Sequence, residues 1–204
     1  ALPLEQRFQG TSCILTPGLK KRIYTPDFLH NRGDYMEETF TGLFDATATN
    51  PDPLGRMLYV DSRTWLVDDL LLKADKMTMA ASIELRVPFL DHRLVELAAS
   101  FPGEFKCRGH VGKRILKDVL KTRLPEELIK RKKIGFAVPV RHWLQHELSP
   151  LIRERLLQKE QFPWLKESFV ESLIAQHASA EQDHSRLIFS LLALSVWREK
   201  FAIN

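Results

Sequence analysis

The helical spacing of apolar residues is the feature that most restricts how this chain can fold. It is clearest from Thr64 to Ser82, where apolar side chains recur every three or four positions and would form one buried stripe. Asp61 or Ser62 would cap this helix, and Pro88 prevents it from continuing. No segment alternates apolar and polar residues as a half-buried strand does. The sequence therefore predicts a mainly α, irregular helical domain without a sheet of its own.

The other predicted elements are shorter and are separated by Pro and Gly. Residues 1–32 predict loops and short helices, and residues 33–204 predict the helical body. Ile83–Asp91 is expected to be a structured connection and Lys130–Val140 a loop. The remaining predicted helices are Asp34–Thr47, Pro53–Ser62, His92–Ala99, Gly112–Lys121, a turn from Pro125, Val140–His146, Ser149–Gln158, Lys166–Ala178 and His184–Phe201.

Composition narrows the class of protein. Of the 204 residues, 44% are hydrophobic and 27% are charged, as in ordinary globular domains. No apolar run approaches the ~20 residues of a membrane span, and the first residues do not resemble a signal peptide. Cys13 and Cys107 have no metal-binding or redox spacing, so free thiols in a reducing compartment are expected. We therefore expect a cytoplasmic protein, neither membrane-embedded nor secreted.

The net charge of +4 hides an uneven distribution. Between Lys106 and Lys133, eleven Lys and Arg residues stand against three acids, so this segment carries +8 and the other 176 residues carry −4. A local block of positive charge attracts the phosphates of a nucleotide, a nucleic acid or a membrane surface. The structural alternative is an ordinary solvated helix face.

A glycine-rich stretch inside this basic block resembles the end of a phosphate-binding P-loop. The resemblance fails because Cys107 stands at the first glycine position and Arg114 stands where Ser or Thr is required. Gly109–Lys113 instead predicts a turn into a helix, whose amide groups and Lys113 are able to meet a phosphate.

Two pairs of histidines are candidate metal ligands by their spacing. His142 and His146 share one helix face, but Trp143 stands where a zinc protease has glutamate. His177 and His184 lie seven positions apart, with no pattern of further ligands. We therefore expect no metal site, and the absence of a Gly-x-Ser-x-Gly motif gives no support to a hydrolase.

The residues from Leu72 to Asp91 carry a specific pattern. They read LKADKMTMAASIELRVPFLD, which resembles the pattern K-x-D-R-x-S-M-A-x-S-x-E-x-R-x-P-F-L-D in the synthetase domain of glutamine-dependent asparagine synthetases. Lys76, Thr78 and Lys117 differ mildly from the family's usual residues, but each keeps the charge or the hydroxyl. The similarity continues along nearly the whole chain, through Tyr24–Phe28, Gly112 and Lys113, Leu124–Glu127, Arg131–Phe136, Pro139, Trp143, His177, Asp183, Ser185 and Leu187–Phe201.

The resemblance implies a fold and a place within a larger protein. Residues 1–204 would be the C-terminal helical portion of an adenine-nucleotide α-hydrolase-like (PP-loop ATP pyrophosphatase) synthetase domain, with the α/β sheet portion missing. Family members also have a glutaminase domain with a cysteine nucleophile, a Ser-Gly-Gly-x-Asp-Ser loop that holds pyrophosphate, and a Ser-Gly-Glu-Gly-x-Asp-Glu segment for ATP and Mg²⁺. None of these motifs occurs in the sequence, so we expect the chain alone to be inactive.

The implied reaction uses ATP to convert the aspartate side chain into a β-aspartyl-adenylate. Ammonia from a glutaminase domain then displaces AMP to give asparagine. Lys133 matches the family lysine that reaches the phosphates, and is the implied catalytic residue. Lys113 matches a second lysine near the α-phosphate and pyrophosphate, and is the implied ATP-binding residue. The implied cofactors are ATP and Mg²⁺, with magnesium ligands outside this chain.

Charged residues in the motif have a structural interpretation as well. Oppositely charged side chains two positions apart, as at Glu84 and Arg86, favour an ion-pair network that also includes Asp91. A role in shaping the aspartate or ATP site remains the alternative. Asp75 and Lys76 are expected to fix their helix against the missing α/β core.

Two other functions remain open at this point. Related enzymes use the same adenylation to build a β-lactam ring or to amidate sugars and peptides. A non-enzymatic nucleic-acid-binding module would explain the basic block, but Phe105 and Phe136, at its edges, offer few rings for base stacking. We therefore expect neither a nucleic acid nor a membrane as partner.

A helical half without its α/β partner would expose apolar surface. We therefore expect self-association, as a homo-oligomer, through Thr64–Ser82 or the C-terminal helix.

Overall fold

The computed structural model describes residues 3–31, 33, 35–132, 138–158 and 162–201. These residues are mostly helical, as the sequence predicts. They form two compact units, each built from two stretches of chain: unit 1 is Ala1–Ser12 with Asp34–Lys133, and unit 2 is Cys13–Gly33 with Ile134–Asn204. No helix among the described residues is long and apolar enough to cross a membrane.

Unit 1 is a series of short helices interrupted by one small hairpin. Its α-helices are α1 (Leu4–Arg7), α4 (Tyr35–Asp45), α5 (Pro53–Arg63), α6 (Leu72–Met79), α7 (His92–Ser100), α8 (Gly103–Lys106), α9 (Arg114–Leu120) and α10 (Glu126–Lys130). A π-helix spans Leu66–Leu71, a 3₁₀ turn spans Pro88–Leu90, and the hairpin strands are β1 (Cys107–Arg108) and β2 (Val111–Gly112).

Aspartate side chains begin two of these helices. The Asp52 carboxylate accepts the Leu54 N–H at 3.0 Å, and the Asp91 carboxylate accepts the Arg93 N–H at 3.0 Å. Each bond satisfies an amide that the first helical turn leaves without an intrahelical partner. Pro53, which has no N–H to satisfy, occupies the first position of α5.

The predicted helix Thr64–Ser82 is interrupted in the structure. The π-helix gives way to α6, and the chain leaves the helix before Ser82, whose φ is +57°. A π-turn holds more residues than an α-turn, so the apolar residues before and after it no longer share one line. No residue of either segment is buried, and Met77 is 66% exposed. The prediction of a single buried stripe is therefore wrong.

The predicted cap of this helix is also wrong. Asp61 and Ser62 lie within α5, because the chain is already helical before Thr64. The Asp61 carboxylate accepts the Thr11 N–H at 2.9 Å, and the Ser62 hydroxyl donates to the Tyr59 carbonyl at 2.7 Å. Asp61 therefore ties α5 to the N-terminal stretch of unit 1 instead of starting a new helix.

The core of unit 1 is small. Among its described residues, the buried hydrophobic side chains are Phe40, Phe44 and Val60. Its exposed apolar side chains are numerous, and include Met77, Met79, Ile83, Leu85, Val87, Phe89, Leu94, Val95, Leu97, Val111, Val119, Leu124 and Leu128. Unit 1 thus leaves most of its large apolar side chains in contact with solvent.

The sequence predicts a helical domain without a sheet, but the described residues include a small antiparallel sheet, the hairpin of β1 and β2. Cys107 pairs with Gly112 and Arg108 with Val111, in antiparallel register. Two residues per strand are too few to show the alternation by which strands are detected in a sequence. Gly109, at φ +58°, supplies the left-handed backbone that the tight turn requires.

Unit 2 has the larger core. Its helices are α2 (Pro17–Ile23), α3 (Pro26–Asn31), α11 (Val140–Gln145), α12 (Ser149–Leu156), α13 (Glu167–Ala178) and α14 (Ser185–Phe201). α11, α12 and α13 all contact α14, whose Ile188 is fully buried. The buried hydrophobic residues of this core are Ile23, Leu144, Ile152, Leu156, Phe162, Leu165, Val170, Leu173, Ile174, Leu187, Ile188, Leu191 and Leu192.

The N-terminal stretch of unit 2 joins this core through backbone hydrogen bonds. The Thr25 N–H donates to the Trp164 carbonyl at 2.8 Å, and the Lys166 N–H donates to the Ile23 carbonyl at 2.8 Å. An isolated antiparallel bridge pairs Tyr24 with Leu165 between them. Residues far apart in sequence are thereby held in one packed unit.

Candidate phosphate-binding surface

Lys113 lies where the hairpin of unit 1 meets α9. Its backbone is left-handed, with φ +55° and ψ +35°, which is uncommon for a residue with a Cβ. Its side chain is exposed and forms no ion pair or hydrogen bond with the described residues. The predicted helix start at Gly112 is therefore two residues early, and Lys113 occupies a strained junction with its ammonium group unpaired.

Arg114 holds this junction in place. Its guanidinium donates to the Glu104 carbonyl at 3.0 Å and lies 5.9 Å from the centre of the Phe105 ring. It also approaches the Asp118 carboxylate at 3.9 Å. Through these contacts α9 is tied back to α8, on the other side of the hairpin. The sequence gives no indication of this anchoring role for Arg114, because its partners are brought close only by folding.

The cations of the basic block divide into two groups. Lys106 donates to the Ala99 carbonyl at 3.1 Å, Lys121 pairs with Asp118 at 2.6 Å, and Lys130 pairs with Glu126 at 2.6 Å. The second group forms no such contact with any described residue, and consists of Arg108, Lys113, Lys117, Arg123, Arg131 and Lys132. The basic block therefore has more positive side chains than acidic partners, and its surface is able to attract anions.

A groove of about 840 Å³ opens beside the hairpin within unit 1. It is lined by residues 50–54 before and at the start of α5, by residues 99–104 from the end of α7 to the start of α8, and by residues 107–109 of the hairpin. Asp52 and Glu104 contribute negative charge and Arg108 contributes positive charge. Its mixed charge distinguishes the groove from the cationic surface, and we assign no ligand to it.

The predicted catalytic residue, Lys133, lies outside the described residues. The described residue before it, Lys132, is exposed to solvent. The role of Lys133 therefore stays a prediction.

The charged residues of the Leu72–Asp91 motif form separate contacts. Glu84 and Arg86 pair at 3.0 Å, as expected, with 70% and 81% of their side chains exposed. Asp91 instead binds Arg93, so the predicted inclusion of Asp91 in the same network is wrong. Hydrogen bonds from Arg93 lower the pKa of Asp91. The predicted network is thus replaced by two separate ion pairs, Glu84 with Arg86 and Asp91 with Arg93, each between residues two positions apart.

The histidines differ sharply in their surroundings. The His142 and His146 rings lie 4.4 Å apart, with His142 in α11 and His146 directly after it, and both side chains are exposed. Among the described residues, no three His, Cys, Asp or Glu side chains are close enough to hold a metal ion. His177, in contrast, is buried in unit 2 with only 2% of its surface exposed. The sequence offered no signal for this burial beyond the position of His177 in α13.

Comparison with known proteins gives consistent results over nearly the whole chain. The family model described as Asparagine synthase matches residues 4–199. Asparagine synthetase [glutamine-hydrolyzing] 1 from Bacillus subtilis is 35% identical over 198 residues, covering 96% of this chain and 30% of the relative. A putative asparagine synthetase [glutamine-hydrolyzing] from Mycobacterium bovis is 33% identical over 202 residues, covering 98% of this chain and 30% of the relative.

A third relative, Asparagine synthetase [glutamine-hydrolyzing] 3 from Bacillus subtilis, is 29% identical over 203 residues, covering 94% of this chain and 32% of the relative. No solved structure gives a significant match. The chain spans about 30% of the length of the first two relatives. The family match covers both units and includes the whole basic block, and on this ground the chain belongs to the asparagine synthase family.

Proposed function

We propose that this chain is part of a cytoplasmic, ATP-dependent ligase that forms asparagine from aspartate and ammonia released from glutamine. The observation that carries the proposal is the family match over residues 4–199, together with relatives named glutamine-hydrolysing asparagine synthetases. The unpaired cations of unit 1 support it, because an adenylating enzyme must neutralise a triphosphate.

The proposed reaction has two steps. An oxygen of the aspartate side-chain carboxylate attacks the α-phosphorus of ATP, and the bond to the β-phosphate oxygen breaks to release pyrophosphate. The nitrogen of ammonia then attacks the activated carbonyl carbon, loses a proton, and displaces AMP as the new C–N bond forms. Negative charge develops on phosphate oxygens in the first step and on the carbonyl oxygen in the second, so positively charged groups stabilise both.

Lys133 and Lys113 are the residues to which we assign this stabilisation. Lys133 would neutralise charge on the reacting phosphate and the tetrahedral species. Lys113 would contact the α-phosphate and the departing pyrophosphate. Its exposure and its unpaired ammonium support this role, since a lysine held in an ion pair would have to break that pair to bind ATP.

Mg²⁺ normally accompanies ATP and would neutralise part of the triphosphate charge. Because the described residues provide no cluster of three metal-binding side chains, we assign no magnesium ligand to them. The roles given to Lys113 and Lys133 do not depend on where that ion binds.

We propose further that residues 1–204 are the C-terminal helical portion of a PP-loop-type synthetase domain. The small core of unit 1 supports this, because only three hydrophobic side chains among its described residues are buried. Many of its large apolar side chains are exposed, as expected of a surface that packs against further polypeptide. The exposed apolar side chains of unit 1 would pack against the remaining polypeptide, and the chain alone would be inactive.

Two lysines side by side provide the test of the catalytic assignment. In a protein that joins this chain to a complete synthetase and glutaminase, Lys133→Ala should lower adenylate formation by about 10²–10³-fold. Glutamine hydrolysis should stay nearly unchanged, because it takes place in another domain. Lys133→Arg should rescue poorly, since a broad planar guanidinium replaces a compact ammonium group.

Lys132→Ala is the matched control, because Lys132 is exposed and unpaired among the described residues. A general contribution to the electrostatic field should change the rate by less than about tenfold and should fade with added salt. Equal effects of the two alanine substitutions would show that Lys133 is an ordinary surface lysine.

Two alternatives are separable by simple measurements. Adenylation of a carboxylic acid other than aspartate, in preference to aspartate, would indicate a related enzyme with another acceptor. Salt-sensitive retardation of random DNA by the chain would indicate nucleic-acid binding. The second outcome is disfavoured because the basic block has few aromatic rings for base stacking, and one of them, Phe105, already contacts Arg114.

A further inference from the structure

The buried residue His177 holds together the turn between α13 and α14 through its ring and its backbone carbonyl. Its Nδ1 accepts the backbone N–H of His184 at 3.3 Å, and its carbonyl accepts the side-chain N–H of Gln145 at 2.8 Å. The same carbonyl accepts the N–H of Ala180 at 3.2 Å, where the chain reverses at φ +59°. His177 thus connects α11, α13 and the start of α14.

These contacts define the protonation state of the ring. A nitrogen that accepts an N–H bond carries no proton, so the ring is neutral with its proton on Nε2. Nε2 is buried and forms no hydrogen bond of ordinary geometry, although the Arg141 backbone approaches closely enough to favour the protonated form. The neutral ring therefore accepts the hydrogen bond from the His184 amide in the turn, while its buried Nε2–H has no strong acceptor.

Several charged groups face the ring. Burial is the main cause that lowers the pKa of His177, and the nearby Arg141 of α11 and His184 lower it further. The Asp183 carboxylate, 3.8 Å from Nδ1, opposes them. Hydrogen bonds from Ser185 lower the pKa of Asp183, so this carboxylate stays ionised when the histidine takes up a proton.

We propose that His177 is a proton-sensitive lock on the α13–α14 turn, closed when the ring is neutral and opened when Nδ1 binds a proton. Protonation converts Nδ1 from acceptor to donor, so the ring N–H faces the His184 N–H. The hydrogen bond is lost, and the charged ring is drawn toward the Asp183 carboxylate. Because Asp183 also accepts the Ser185 N–H at 3.0 Å, its recruitment weakens the first turn of α14.

The direction of the pH effect follows from the lowered pKa. An unfolded chain protonates this histidine near pH 6.5, whereas the folded chain does so only at lower pH. The stabilisation is therefore present above about pH 6.5 and is lost as the pH falls toward the folded pKa. Between about pH 7.5 and about pH 5.5 the equilibrium constant for folding of unit 2 should fall by up to about tenfold.

Urea unfolding of the 204-residue chain at these two pH values provides the test. Tryptophan fluorescence reports mainly on unit 2, which contains Trp143, Trp164 and Trp197. In His177→Asn the side-chain oxygen takes the place of Nδ1 as acceptor but does not titrate, so most of the pH dependence should disappear. His146→Asn, the same change at an exposed histidine, should retain it. Equal pH dependence in the two variants would overturn the proposal.

A second measurement does not require a variant to fold. Imidazole ¹⁵N NMR of the unsubstituted chain should show His177 protonated only at Nε2 at neutral pH. On acidification, loss of that state should coincide with a shift of the His184 backbone amide. A proton on Nδ1 at neutral pH, or a His184 amide that does not follow the titration, would contradict the lock.

Discussion

The left-handed backbone of Lys113 predicts an unusual response to glycine. Holding an L-residue in this conformation costs about 1–2 kcal/mol. Glycine removes that cost but loses about 0.5–1 kcal/mol more in chain entropy on folding. Lys113→Gly should therefore stabilise unit 1 by about 0.5–1 kcal/mol, although it deletes a lysine of the proposed ATP site. The ammonium forms no ion pair or hydrogen bond with the described residues that glycine would remove.

Lys117 offers a matched control four positions away. It lies inside α9, where glycine costs about 1 kcal/mol relative to a good helix former. The same Lys-to-Gly substitution should thus have opposite signs at the two sites, separated by about 1.5–2 kcal/mol in free energy of unfolding. Lys113→Ala completes the set, because it removes the ammonium and keeps the backbone strain.

Urea unfolding followed by far-UV circular dichroism would measure the three variants, and hydrogen exchange across residues 107–121 would locate the change. Lys113→Gly should shift the midpoint upward by a few tenths of a molar, and Lys117→Gly should lower it. In a protein that contains the complete synthetase, Lys113→Gly and Lys113→Ala should weaken ATP use alike. A glycine variant no more stable than the alanine variant would show that Lys113 is not strained.

Three further predictions concern packing, pH and association. Ile188→Ala should destabilise unit 2 by about 3–4 kcal/mol in urea unfolding, because it deletes three carbons from a fully buried site. The neighbouring Phe189→Ala, at a half-exposed position, is the control and should cost about 0.5 kcal/mol or less. Hydrogen bonds from Arg93 lower the pKa of Asp91, so the ionised carboxylate stabilises α7 above about pH 3.8 and this stabilisation is lost at lower pH. Asp91→Asn keeps an acceptor for the Arg93 N–H but does not titrate, so it should make hydrogen exchange of α7 less sensitive to acid. Sedimentation of the chain alone should reveal self-association that Met77→Lys, at a 66% exposed position, reduces; a strictly monomeric chain at high concentration would count against it.

Local patterns predicted the helical class and most helix positions. The predicted helices Lys166–Ala178 and His184–Phe201 correspond to α13 and α14, and Pro53–Ser62 and His92–Ala99 correspond to α5 and α7. Helix positions are predictable from local sequence because capping and amphipathic burial act over one or two turns. The π-helix at Leu66–Leu71 had no such signal, since no pattern of residue types in the sequence marks its extra residue per turn.

The candidate site was less predictable for a related reason. The sequence located the block of positive charge, but the division into paired and unpaired cations depends on neighbours brought close by folding. Arg114 illustrates this, since its partner Glu104 lies ten positions earlier, across the hairpin. The strain at Lys113 was equally hidden, because lysine gives no indication of a positive φ in the way that glycine does.

The two unusual features of unit 1 have one explanation under the proposed function. A small core and a set of unpaired cations are each unfavourable in an isolated domain, the first through exposed apolar surface and the second through mutual repulsion. Remaining polypeptide would cover the apolar side chains, and a triphosphate would neutralise the cations. If so, ATP should stabilise unit 1 only when the rest of the synthetase is present, because the apolar surface must be covered before the cations can be held in position.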